Sequence, residues 1–172
     1  PYVCLVNLTQ LDLLQNGGVG RIAAEVSRLL IDQSGDQLRP VFLVRWGEIP
    51  RFRAWAGRPV VVVPSFTSVD ARRSANAIRP DLIVSPLFGM SPLARVPFPV
   101  ITQIPDTLVF DHPELFERRA RMGRMRVYDA LPSAERVVTI SQFSRDQLLR
   151  HTAVKPDRIS VIGLGSDFGV DD

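Results

Sequence analysis

The 172-residue chain is poor in several residue types, and each scarcity excludes a chemistry. It has one cysteine, Cys4, so no intrachain disulfide can form, and a thiol inside an apolar run reads as a buried core group in a reducing compartment. Two isolated histidines, His112 and His151, with no Cys/His spacing of a ligand set, give no metal site, and none is expected. Apolar runs of the roughly 18 residues that cross a bilayer are absent. The first residues, "PYVCLVNLTQ", lack a basic region before their apolar run and read as a first strand, not a signal peptide. Lysine is almost missing: of 21 basic residues, Lys155 alone is not arginine. Arginine forks suit phosphate and carboxylate, but a net charge of +3 supports a nucleic-acid role only weakly, and no nucleic-acid partner is expected.

What is present is the material of one folded domain. Apolar residues make up 45% and charged residues 23%, and a chain of this length buries roughly 70% of its unfolded surface. Short β-branched runs at 2–8, 40–46, 59–63, 81–85, 98–104, 135–140 and 158–163 are bounded by Pro, Gly, Asp or Arg and read as strands. Several are apolar throughout, as strands are when helices cover both faces of a parallel sheet. Helical patterns lie between them. The first puts Val19, Ile22, Ala23, Val26, Leu29 and Leu30 on one arc opposite Arg21, Glu25 and Arg28, and others fall near 67–79, 115–131 and 142–152. The stretch 84–99, rich in proline, reads as a broken helix and connector. The alternation predicts an α/β fold, a doubly wound, mostly parallel, Rossmann-like sheet of about seven strands.

In such a sheet a ligand lies beyond the carboxyl ends of the strands, which directs attention to "QNGGVGRIAAEVSRLL", 15–30. Gly18-Val19-Gly20-Arg21-Ile22-Ala23 matches the G-x-G-x-x-A dinucleotide pattern, but Thr9 to Asn16 separate it from the first strand and no clear acidic residue ends strand two. A P-loop is excluded because no Lys-Ser or Lys-Thr follows. Free amides and the positive dipole end at a helix start favour an anionic or oxygen-rich partner; alternatively Gly17 and Gly18 only make a turn and Gly20 allows close packing.

Three blocks carry a resemblance. "GGVGRIAAEVSRLL" is similar to the glycine loop and first helix of the group 1 (family 4) retaining glycosyltransferases of GT-B fold. "PVITQIPDTLVFDHPELF", 99–116, resembles that family's strand and following His-Asp, then Pro-Glu, loop, and "ERVVTISQFSRDQLLRHTAVKPDRISVIGLGSD", 135–167, resembles its strand, Ser-x-Phe-Ser helix, final strand and Gly-x-Asp exit. Two positions depart from the pattern. Pro105 stands where the histidine is usual, and a proline ring neither transfers a proton nor hydrogen-bonds a hydroxyl. The exit reads Leu164-Gly165 in place of Asn-Gly.

The resemblance implies that 1–163 form the acceptor-side half of a GT-B enzyme, that 164–172 begin an interdomain linker, and that the donor-binding domain is absent from this chain. It further implies transfer of a sugar, with retained configuration, from a nucleotide-sugar co-substrate shared with that domain to a glycan or lipid-linked acceptor. No other cofactor is implied, the setting would be cytoplasmic, and the isolated domain would be inactive.

Each candidate residue has a structural alternative. Asp106, past a strand end, is the candidate catalytic group, accepting from acceptor hydroxyls, or it caps its loop. Gly18 and Gly20 are candidates for substrate contact, and Arg21 reaches a phosphate or pairs with Glu25. Ser141 is a substrate-contact candidate, while Ser144 with Gln147 has the form of a capping box. Asp111, His112 and Glu114 line the acceptor side or make an exposed turn, and Trp46 and Trp55 form a sugar platform or pack. The arginines of "ERRARMGRMR", 117–126, are a solvated face, or they contact an anionic membrane surface, placing the protein peripherally at the inner membrane, or a phosphate-bearing substrate. Two rival functions stay open: a dinucleotide-binding oxidoreductase domain, and a non-catalytic binding module.

Overall fold

The computed structural model describes residues 1–9, 17–57, 59–65, 68–86, 96–163 and 165. Strands β1 (Tyr2–Leu8), β2 (Leu38–Arg45), β3 (Val61–Ser65), β4 (Leu82–Ser85), β5 (Val100–Gln103), β6 (Arg136–Thr139) and β7 (Ile159–Val161) form one sheet of order β3-β2-β1-β4-β5-β6-β7. Every pairing is parallel. Between the strands lie helices α1 (Gly17–Asp32), α2 (Ile49–Ala56), α3 (Ser68–Ile78), the single turn α4 (Leu108–Asp111), α5 (Arg118–Ala130) and α6 (Gln142–His151). All seven expected strands and the helices expected near 67–79, 115–131 and 142–152 are found, with ends shifted by up to three residues. Of the proline-rich connector, 87–95 lie outside the described residues, as do 10–16 of the first loop and, apart from Gly165, the expected linker 164–172.

Strand alternation divides the core into two layers. Cys4, Val6, Phe42 and Val44 point to one face, packed by Ala23 and Ile31 of α1 and Phe52 of α2. Leu5, Leu43, Ile83, Val100 and Val137 point to the other, against Ala71 and Ala75 of α3, Tyr128 of α5 and Leu148 of α6. Parallel crossovers are right-handed, so units that step outward from β1 to β3 and units that step the other way from β4 to β7 must place their helices on opposite faces. Consequently, among the described residues, the α1 face of β5, β6 and β7 carries no helix. Ile101 and Val138 on that face border open space.

The first helix departs from its expected register. Its buried stripe is Ala23, Ser27 and Ile31, with the Ser27 hydroxyl donating to the Ala23 carbonyl at 2.7 Å. Ile22 and Val26 are half-buried and Leu29 is 58% exposed. The apolar sector is wider than the sheet covers, and periodicity does not separate a side chain facing the core from one facing a cleft.

Helix α2 was not among the expected helices, although its punctuation is in the sequence: Pro50 in the first turn, Phe52 and Ala56 four apart, and Gly57 in the left-handed conformation (φ 67°) as the stop. Fully burying Phe52 contributes about 1.5–3 kcal/mol. Its ring lies 5.1 Å from Phe42 and 5.5 Å from Trp55. Trp55 packs, with the Arg28 guanidinium over its ring at 5.3 Å, whereas Trp46 is exposed.

Candidate functional site

The sheet reverses its winding between β1 and β4, the position at which open α/β sheets bind ligands. Side chains stitch the two strand ends together there. Asn7 Nδ2 donates to Ser85 Oγ at 3.2 Å, while Asn7 Oδ1 accepts from the Thr9 hydroxyl at 2.8 Å and the Thr9 amide at 3.3 Å. Both Asn7 and Ser85 are buried, so the point where the chain leaves β1 is fixed by satisfied polar groups.

A cleft of about 880 Å³ opens beside this junction, within the size range of small-molecule sites. One wall is α1, through Gly18, Arg21, Ile22, Glu25, Val26 and Leu29. The floor and far wall are strand residues and strand ends, among them Val84, Ser85, Ile101, Gln103, Pro105 and Asp106, closed by Ile162, Gly163 and Gly165 after β7. The structure therefore brings Gly18, Arg21 and Asp106 to one cavity. Among the described residues, and apart from the helix's own backbone, no atom lies within 4 Å of where a Cβ would stand at Gly18, so no described neighbour requires a glycine there. Gly20 is half-buried on α1 and does not line the cleft.

Asp106 caps its loop and also lines the cleft. Its Oδ1 accepts from the Leu108 amide at 3.3 Å, closing the turn that starts α4, and the carboxylate side chain is still 44% exposed at the cleft. Its surroundings hold it from three sides. The buried Tyr128 hydroxyl donates to the Asp106 carbonyl at 3.0 Å, and Arg124 Nη1 stands 3.8 Å from Oδ1 with its guanidinium over the Phe116 ring at 4.8 Å. Burial, with the negative charge of Asp106 nearby, pushes the Tyr128 phenol well above its ordinary range, so it remains a donor. Pro105 is buried in the cleft wall beside Asp106.

The other candidates are placed elsewhere. Ser141 is the N-cap of α6: its Oγ accepts from the Ser144 amide at 3.1 Å, and it is not among the residues that line the cleft. The expected Ser144–Gln147 box is not formed. The helix starts one turn earlier, and Gln147 Nε2 donates instead to Asp111 at 2.9 Å. His112 Nδ1 lies 3.1 Å from Glu114 Oε1, and a bond from the Glu114 amide, with His112 beside it, holds that carboxyl below its usual range. The ring of His151 stacks on Phe110 at 4.5 Å. Asp111, His112 and Glu114 thus tie the loop to itself and to α6, away from the cleft lining. Among the described residues no group of three or more His, Cys, Asp or Glu side chains could hold a metal ion.

Sequence reasoning missed Gln103 and Arg124. Gln103 ends β5, two residues before Pro105, so the carboxyl-end rule would have marked it. Arg124 carries no such signal, because its role depends on α5 packing against the β5 exit.

Comparison with known proteins agrees with this fold. Two solved structures share the fold: UDP-GlcNAc 2-epimerase from Methanocaldococcus jannaschii (TM-score 0.61, 10% identity, 94% of this chain and 45% of that one), and UDP-GlcNAc 2-epimerase from Neisseria meningitidis bound to UDP-GlcNAc (TM-score 0.62, 9% identity, 93% and 45%). At these identities the likeness is one of fold, and this chain spans less than half the length of either. No curated protein matches the sequence. The model of Glycosyltransferase Family 4 matches residues 16–168, most of the chain and the whole of the cleft-forming region from α1 to the exit of β7. With its seven-stranded parallel Rossmann-like sheet and its cleft at the switch point, the chain belongs to glycosyltransferase family 4.

Proposed function

We propose that this domain is the acceptor-side half of a retaining glycosyltransferase. It would move a sugar from a nucleotide-sugar co-substrate to a glycan or lipid-linked acceptor, with no further cofactor and in the cytoplasm, where such donors are made. The observation that carries the reading is the convergence on one cleft of Gly18 and Arg21, at the start of α1, and Asp106, past the end of β5 and more than eighty residues away in sequence. The start of α1 offers positive potential to the donor diphosphate, and Arg21 adds a charged fork on the same wall. Asp106, fixed by Leu108, Tyr128 and Arg124, accepts a hydrogen bond from the acceptor hydroxyl and orients its oxygen toward the anomeric carbon. Pro105 has no proton to give or take, so this hydroxyl contact falls to Asp106 alone.

The rest of the donor site belongs, in this reading, to a second domain, so the 172 residues alone fold without turning over. The experiment is a nucleotide-sugar turnover assay on this chain and on the whole natural protein that contains it. Acceptor-dependent release of nucleoside diphosphate by the whole protein, and none by the chain alone, is the expected outcome. Clear turnover by the chain alone would refute the division of labour. Tight binding of a nicotinamide or flavin dinucleotide would favour an oxidoreductase instead.

A further inference from the structure

Helix α5 holds five arginines and one acidic residue, Asp129. Its inner side is settled: Val127 and Tyr128 are buried, and Arg124 is turned to Asp106. The outer side combines an exposed apolar side chain with a group of arginines. Met122 is 49% exposed, and Arg118, Arg119 and Arg126, all exposed, stand one turn away from it on either side. Just before the helix, Leu115 is 66% exposed at the end of the Pro113–Leu115 turn. Of the acidic residues flanking Leu115, Glu114 is engaged by His112, which leaves Glu117. Two large apolar side chains therefore project from a surface whose remaining charge is mostly guanidinium.

We infer that the outer face of α5, with Leu115, docks on an anionic bilayer surface. The arginines take lipid phosphates, and Leu115 and Met122 enter the boundary between headgroups and acyl chains. Arginine suits phosphate because its planar fork bonds two oxygens at once and sheds water more readily than an ammonium. Projecting Leu and Met favour a lipid partner over nucleic acid, since phosphate backbones are gripped by basic and polar groups and single-stranded bases by aromatic ones. No helix among the described residues is long and apolar enough to cross a membrane, so this is contact from one side. The placement has a consequence for the cleft. Because Arg124 reaches Asp106 at 3.8 Å, docking through the opposite side of α5 keeps the cleft within one helix diameter of the bilayer.

The inference does not depend on the proposed reaction and is tested without it. The whole natural protein is floated with phosphatidylcholine vesicles, with and without phosphatidylglycerol, at low and at physiological salt. Binding to the phosphatidylglycerol vesicles alone is expected. Near an anionic surface each arginine contributes about 1 kcal/mol, so the triple variant Arg118→Gln, Arg119→Gln, Arg126→Gln should lose about a hundred-fold in partition. The double variant Leu115→Ser, Met122→Ser should also weaken binding while leaving far-ultraviolet circular dichroism unchanged, as exposed positions allow. Absence of flotation, flotation indifferent to the serine pair, or stronger retention by RNA than by the vesicles would each overturn the inference.

Discussion

Tyr128→Phe isolates one atom that the fold devotes to the site. The phenol is buried, its ring sits 4.4 Å from Phe110, and its hydroxyl makes the 3.0 Å bond to the Asp106 carbonyl. Phenylalanine keeps the ring and removes only that bond. The net worth of such a bond is about 1 kcal/mol, and because Asp106 is half-buried its carbonyl can recruit water and avoid the larger cost of a sealed orphan. Urea unfolding should therefore show a loss of about 1 kcal/mol, against about 3–5 kcal/mol for Tyr128→Ala, which also empties the ring's volume. The Leu108 amide, bonded to Asp106 Oδ1, should exchange faster in the variant because its acceptor has lost an anchor. A pH series adds an independent check. The folded pKa of Tyr128 lies above the unfolded value, so its contribution is complete below pH ~10 and declines above it, and the phenylalanine variant lacks that decline. A neutral Tyr128→Phe with unchanged Leu108 protection would show that Asp106 is held by other means.

Three further outcomes follow from the packing. Burial pushes the Cys4 thiol from 9.0 up to about 11, so it should resist a thiol reagent at pH 8 until the chain unfolds; stability that Cys4→Ala lacks should fall as pH rises from about 9 to 11. Gly57→Ala forces a side chain into left-handed backbone at the end of α2 and should cost about 1–2 kcal/mol in thermal or urea unfolding, although the space around it is open. Ser141→Ala removes the α6 cap and should cost about 1 kcal/mol in unfolding while leaving acceptor KM unchanged, whereas a raised KM at full stability would return Ser141 to the substrate.

The strands were legible because buried parallel strands are continuous β-branched runs; their order was not read from the sequence and is set by the pairing in the folded sheet. Asp106 was legible for the same reason: it stands just past the end of β5. Helix α1 was found with its face misjudged, since Leu29 and Val26 are as apolar as core residues and only the limited width of the sheet below them decides that they border a cleft. Helix α2 was overlooked because a basic, tryptophan-flanked segment drew attention to its rings, although proline and glycine mark its ends. The α6 cap was placed one turn late because Ser144 with Gln147 has the capping-box form and Ser141 does not, and only the actual strand end marks Ser141 as the cap. Arg124 was beyond reach. Nothing in "ERRARMGRMR" separates it from its neighbours until α5 packs and turns that one guanidinium toward Asp106.

The central claim is that an acceptor hydroxyl meets Asp106 in the cleft between α1 and the strand ends. It is tested most directly by the kinetics of Asp106→Asn in the whole natural protein, varying donor and acceptor separately. The asparagine retains an oxygen for the Leu108 amide and removes the charge, so the fold should persist. The account predicts that kcat/KM for the acceptor drops by at least ten-fold, while the donor KM stays near its original value. Wild-type acceptor kinetics in this variant would contradict the claim and move the acceptor site away from Asp106.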